Sequence, residues 1–378
     1  VRVARLPFLL GAGFSLVSAI LAGLFRIGWP LPLLQADLPL AHGPLMVSGF
    51  LGTLIGLEKA VAHGRLWAYA GVAATALGGA GLAVATEAAG PRLLLFAGSL
   101  GLVAVSAVFA AKHRSSANAF VLCGASSWAA GNFLFLRGWP IFAAVPAWIG
   151  FLLLVIVGER LELNRLLRPS RASRAFVHSA AALAVGAIAL AAAGFPLGGS
   201  VSGTGGASRF TGTVFDLAIR LLGIACSGLG VWLLSNDMAR ASWKLPGLSR
   251  FMAASLLAGY LWLTLSGSLL ALQGSFVAGE AYDAALHAFF LGFVFSMIFA
   301  HGPVIFPAIL SIPIAFHPVF YAHLALLHLG VALRVAGDLT PLAFLRPWGG
   351  LLNAAAILLF LISTAARAAA GARARTAT

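Results

Sequence analysis

The chain has 378 residues, of which 61% are hydrophobic and only 9% charged, with a mean hydropathy of +1.00. Ordinary globular domains carry about 25% charged residues, so these values exclude a water-soluble class and define an integral membrane protein. The formal charge of +14 raises nucleic acid as a partner, but the placement of the basic residues argues for no nucleic acid.

A membrane-crossing helix needs about 20 mostly apolar residues to span a hydrocarbon core about 30 Å thick. Runs of that size fall at 7–26, 40–61, 66–86, 90–111, 117–136, 141–158, 176–195, 212–234, 250–272, 282–300, 317–336 and 348–366. They predict an all-α polytopic membrane bundle of about 12 transmembrane helices, forming a single transmembrane domain over 1–378 in a lipid bilayer. The run at 7–26 follows Arg2 and Arg5 and reads as the first span, since no small-residue cleavage site follows it. The Gly/Ser-rich stretch 195–212 reads as a flexible outer loop. The stretch 301–316, "HGPVIFPAILSIPIAF", reads as a connection broken by Pro303, Pro307 and Pro313, re-entrant or buried. With the spans laid alternately and the N-terminus inside, 17 of the 24 Lys and Arg fall on the inner face and 7 on the outer. This positive-inside bias predicts an even number of crossings with both termini cytoplasmic. Cys123 and Cys226 fall within spans, far apart in sequence, and read as packing residues.

Histidine is the residue type that this composition does not explain. Of nine histidines, His63 and His113 sit with Arg and Lys in inner loops and His178 near an inner helix end, positions expected to be interfacial. The other six are His42, His287, His301, His317, His323 and His328, in or at the ends of spans two, ten and eleven. A polar side chain at membrane depth costs a few kcal/mol unless it faces the protein interior and has a partner. His287 and His301 are 14 residues apart, about 40° and about 21 Å on a helix. His317 and His328 are 11 apart, about 20° and about 16 Å. Each pair therefore shares a face. Spans ten and eleven are consecutive and antiparallel, so His287 is expected level with His328 near the outer side and His301 level with His317 near the inner side. His42 opens span two from outside and joins the outer group, while His323 lies between the levels.

Neutral imidazole from facing helices is a strong ligand for iron and copper. Glycines in "HAFFLGF" and "HGPLMVSGF" offer room for a flat macrocycle, with Phe289, Phe290, Phe293 and Phe295 as walls. The reading is haem ligation, with copper possible, by His42, His287, His328, His301 and His317, and a metal set of His301, His317 and His323. The competing readings are interhelical hydrogen bonds, a proton relay in a proton-coupled transporter, and a structural membrane partner of a separate enzyme. Among the acids, Glu58, Glu159 and Glu162 near the inner face are candidates for a proton path, or else interfacial residues with Glu162 and Arg165 paired at i,i+3. Asp216 and Arg220 are expected to pair at i,i+4.

These residues carry a resemblance. "LHAFFLGFVFSMIFAHG", "YAHLALLHLGVAL" and, more weakly, "HGPLMVSGF" resemble motifs of the NnrS family, bacterial membrane haem-copper proteins linked to nitric-oxide metabolism. They are distantly like haem-copper oxidase subunit I, whose helices two and ten supply histidines to a haem. The resemblance implies haem b, possibly copper, and redox chemistry or response to a diatomic gas such as nitric oxide in a bacterial inner membrane, with a haem-dependent oxidoreductase as the enzyme class. The chain departs from the family in span two, where Gly43 and Pro44 follow His42 in place of the family's Glu-Met. Spans six and seven also lack the copper-holding histidines of the oxidases.

Overall fold

The computed structural model describes residues 3–167, 169–203, 207–312 and 314–376. Pro313 and residues 204–206, on which part of the expectations for 301–316 and 195–212 fall, lie outside the described residues. The main helices are α1 (Leu6–Arg26), α2 (Leu38–His63), α3 (Ala68–Val84), α4 (Ala89–Lys112), α5 (Ser116–Leu136), α6 (Ile141–Asn164), α7 (Arg171–Gly194), α8 (Thr213–Asn236), α9 (Leu248–Gln273), α10 (Glu280–Leu310), α11 (Phe320–Leu339) and α12 (Leu345–Thr376). Eleven are long and apolar enough to cross a membrane, and α3, with 17 residues, is the shorter apolar helix among the described residues. The protein is an α-helical membrane bundle. Its packing divides into two compact units, Arg2–Leu161 and Glu162–Thr378.

In the N-terminal unit small residues bring helices together. A Cβ on Gly101 would sit 2.7 Å from the Gly71 Cα, so α3 and α4 cross backbone to backbone, as small residues allow where lipid supplies no hydrophobic drive. A buried polar network ties α2, α4, α5 and α6. The Ser48 hydroxyl donates to Asn132 Oδ1 (2.7 Å) and accepts from the Trp128 indole (3.0 Å). The Trp148 indole also donates to Asn132 Oδ1 (3.1 Å), and Asn132 Nδ2 donates to the Leu95 carbonyl (3.1 Å). Every member thus has a partner, the condition for burying polar groups at this depth.

In the C-terminal unit α8 and α9 pack at Gly223 and Gly267, where any Cβ would overlap the facing backbone. Within 195–212 some of the described residues form strands. Strands β1 (Val201–Ser202), β2 (Ser208–Phe210) and β3 (Phe276–Ala278) form an antiparallel sheet in the order β1-β2-β3. The third strand comes from the α9–α10 connection, a non-local partner that local Gly/Ser composition cannot announce. Asp216 holds the corner, accepting from Arg220 Nε (2.7 Å) and the Ser275 amide (2.8 Å), while Arg220 Nη1 donates to the Ala271 and Leu272 carbonyls.

The stretch 301–316 also differs from expectation. Helix α10 runs through Pro303 and Pro307 to Leu310 and closes where Ser311, in the left-handed conformation (φ 57°), donates its amide to the Pro307 carbonyl. Proline inside a membrane helix is tolerated because neighbouring groups take up the freed carbonyls. Among the described residues of this stretch, those beyond Leu310 are non-helical.

Two helices share a rarer irregularity. In α2 a π-helical segment, Leu45–Gly52, begins three residues after His42. In α10 a π-helical segment, Ala288–Phe295, begins immediately after His287. Such segments are scarce and frequently mark functional sites.

Candidate functional site

The six membrane-depth histidines sort by what their ring nitrogens do. His42 Nδ1 lies 2.7 Å from the Ala19 carbonyl, His287 Nδ1 2.7 Å from the Asp283 carbonyl and His301 Nδ1 2.8 Å from the Met297 carbonyl. A carbonyl only accepts, so each Nδ1 carries the proton and the lone pair of the neutral ring is on Nε2. His328 and His317 are the reverse. His328 Nδ1 accepts from the Trp262 indole (3.0 Å), and His317 Nδ1 accepts from the Val319 amide (3.2 Å). Their neutral rings carry the proton on Nε2. His323 is fully buried and neither nitrogen has a hydrogen-bond partner. Its imidazole sits among Phe299, Phe360, Phe320 and Phe251, at centroid distances of 4.6, 5.2, 5.6 and 5.9 Å.

This sorting bears on the ligands expected from the sequence. Taken one by one, His42, His287 and His301 carry on Nε2 the lone pair that a metal would take. His328 and His317 do not, their ring polarity being set the other way by a neighbouring N–H. His42 belongs to the N-terminal unit and the other five to the C-terminal unit. Among the described residues no three His, Cys, Asp or Glu side chains converge as a metal site, so His301, His317 and His323 are not assembled into the expected set. The physical reason is visible at two of them: His317 caps the start of the next helix, and His323 is walled off by phenylalanines.

The predicted cradle is filled by protein. A Cβ on Gly292 would collide with the Trp262 ring, so the flat group against that glycine is the indole that also holds His328. Phe289 and Phe293 are buried against each other (5.6 Å), and Phe293 lies 6.5 Å from Tyr260, in core positions. The expected antiparallel pairing of α10 and α11 is present, because Arg334 reaches Asp283 (3.5 Å). From that contact His287 lies about 6 Å along one helix and His328 about 9 Å along the other, which puts them at similar depth.

Arg334 is one corner of an ion network that the sequence reading missed. Arg346 Nη2 is 2.6 Å from Asp283 Oδ2, its Nε 3.0 Å from Asp338 Oδ1 and its Nη1 3.9 Å from Glu280. The Asp338 side chain is fully buried, and its approach to Arg346 is an ion pair without the alignment of a hydrogen bond. The network fastens the ends of α10, α11 and α12 beside His287, whose Nδ1 partner is the Asp283 carbonyl. The Arg334-x3-Asp338 spacing within an apolar helix was its available signal.

The three acidic candidates separate. Lys59 joins Glu159 (2.6 Å) and Glu58 (3.9 Å) into a half-buried triad within the N-terminal unit. Glu162 instead pairs with Arg165 at 3.0 Å on an exposed face, as its i,i+3 spacing allows.

Fold and site together define a polytopic α-helical membrane protein with histidines held at span depth. Over residues 5–369 the chain matches the family model described as "Domain of unknown function (DUF8744)", and it belongs to that family. No curated protein and no solved structure matches it.

Proposed function

We propose that the chain is a haem protein of a bacterial cytoplasmic membrane, resembling NnrS, that serves redox chemistry or the response to nitric oxide or another diatomic gas. One observation carries the reading: His42, His287 and His301 each commit Nδ1–H to a backbone carbonyl. Metal-bound histidines almost always have their second nitrogen engaged in this way, which fixes the tautomer and aims the ring. Two of the three stand at the head of a π-helical segment. Haem b, or copper, would be held within the C-terminal unit at Nε2 of His287 first, His301 and, in the N-terminal unit, His42 being separate single-imidazole candidates. When bound, haem supplies a one-electron couple and a coordination position for a small gas. The chain's part is to orient the imidazoles, to keep the surroundings apolar with Phe289 and Phe293, and to anchor the ligand helix through Asp283. A transporter working by proton relay asks for a hydrogen-bonded chain through the imidazoles, and His323, between the two levels, has no such bond. Anaerobic addition of nitric oxide to the reduced, purified protein is expected to shift its Soret band. A haem-containing protein whose spectrum ignores nitric oxide would remove the gas-binding part and leave electron transfer.

The same proposal includes twelve crossings with both termini cytoplasmic. It rests on the 17 to 7 split of basic residues and on α3, whose 17 residues rise about 26 Å, close to the hydrocarbon thickness. In a background without Cys123 and Cys226, Arg171→Cys and Lys244→Cys should be protected from an impermeant thiol reagent in intact cells, and Ser202→Cys should react. Labelling at position 171 would contradict this topology.

A further inference from the structure

An open groove of about 750 Å³ runs along the C-terminal unit between α7, α8 and α9. Its walls include Phe176, Ala180, Leu183, Ile224, Val231 and Leu272, and of these Phe176, Ile224, Val231 and Leu272 are exposed. The groove exists because α8 is drawn tightly onto α9 at Gly223 and Gly267, while Gly228 and Ala180 contribute little bulk to the valley beside that crossing. The polar atoms on its floor are already satisfied. Ser227 and Ser268 each donate to the Thr264 carbonyl, at 3.0 and 2.9 Å, and their hydroxyls are 3.2 Å apart. Apart from the exposed Ser179 the rest of the lining is apolar or glycine, so at membrane depth its filling is hydrocarbon.

One end is charged. Ile224, Gly228, Val231 and Ser235 recur on one face of α8, at helical spacing, and the exposed Arg240 lies at the Ser235 end, its Nη1 donating to the Ser235 carbonyl (2.8 Å). Trp243, three residues on, is 51% exposed, as tryptophans at headgroup level are. An apolar channel ending at a guanidinium among interfacial aromatics is complementary to an acyl chain carrying an anionic head. We infer that this groove binds the acyl chain of an anionic phospholipid, with the phosphate at Arg240. The inference uses only the membrane setting and stands apart from the haem reading.

Native mass spectrometry of the full-length protein in detergent, supplemented with phosphatidylglycerol or phosphatidylcholine of the same acyl chains, tests it. Wild type should retain one phosphatidylglycerol about fivefold more than phosphatidylcholine, the scale of one arginine against an anionic headgroup. Arg240→Gln should remove that preference while leaving the fold intact, because its loss exposes only the Ser235 carbonyl to solvent. Gly228→Leu should reduce retention of both lipids, since its Cβ would stand 3.4 Å from Phe176, in ordinary contact, and its side chain would fill the groove. Equal retention of the two lipids by wild type, a phosphatidylglycerol signal indifferent to both variants, or a retained mass that is not a phospholipid would each overturn the inference.

Discussion

If His287 holds haem as proposed, purified His287→Ala protein is expected to lose the haem absorption, or to change to the spectrum of iron missing an axial ligand, with haem retention falling at least about tenfold. The argument is local. His287 Nδ1 faces the Asp283 carbonyl at 2.7 Å, which places the neutral ring's lone pair on Nε2, and the π-helical segment begins at the next residue. His328→Ala, at similar depth on α11, should leave the spectrum nearly unchanged. Its Nδ1 accepts from Trp262, so its Nε2 carries the proton and offers iron no lone pair. The opposite outcome, a spectrum lost in His328→Ala and kept in His287→Ala, would sink the assignment by tautomer. His63→Ala serves as a control, since that ring packs on Trp67 (4.8 Å) and Phe109 (5.8 Å) within the N-terminal unit.

The largest effect on stability is expected from Arg346→Met. Removing this guanidinium takes the 3.0 Å ion pair from the fully buried Asp338 carboxylate, which keeps only the field of Arg334, and takes the 2.6 Å contact from Asp283. Breaking a buried ion network at one member costs about 3–5 kcal/mol, because the remaining charge stays desolvated. Thermal unfolding in detergent should therefore drop markedly, and adding Asp338→Asn should recover part of the loss by removing the stranded charge. Arg165→Met, which breaks the exposed pair with Glu162, should change little. Equal melting of Arg346→Met and wild type would show that the ends of α10, α11 and α12 are not held by this network.

The sequence made the class legible because lipid leaves few ways to place apolar residues. Apolar length located the helices to within a few residues at most ends, and the i,i+4 and i,i+3 pairs of Asp216 with Arg220 and Glu162 with Arg165 formed as spacing predicts. Local pattern was blind to non-local partners. The pairing of 208–210 with 276–278 turned part of an expected loop into sheet, and Lys59 gathered Glu159 from another helix. The prolines misled as well, since α10 passes Pro303 and Pro307 without ending. At the candidate site, helical spacing placed His287 and His328 at similar depth. It could not say which ring nitrogen would be engaged, and it assigned to a macrocycle the space at Gly292 that Trp262 fills.

Quantifying haem and metal per chain, by extraction and elemental analysis of protein purified from a haem-replete bacterial host, tests the central claim most directly. The proposal predicts at least one haem b per chain, with a Soret band and reduced α-bands in the same preparation. Folded, monodisperse protein that is colourless and free of iron and copper would contradict it.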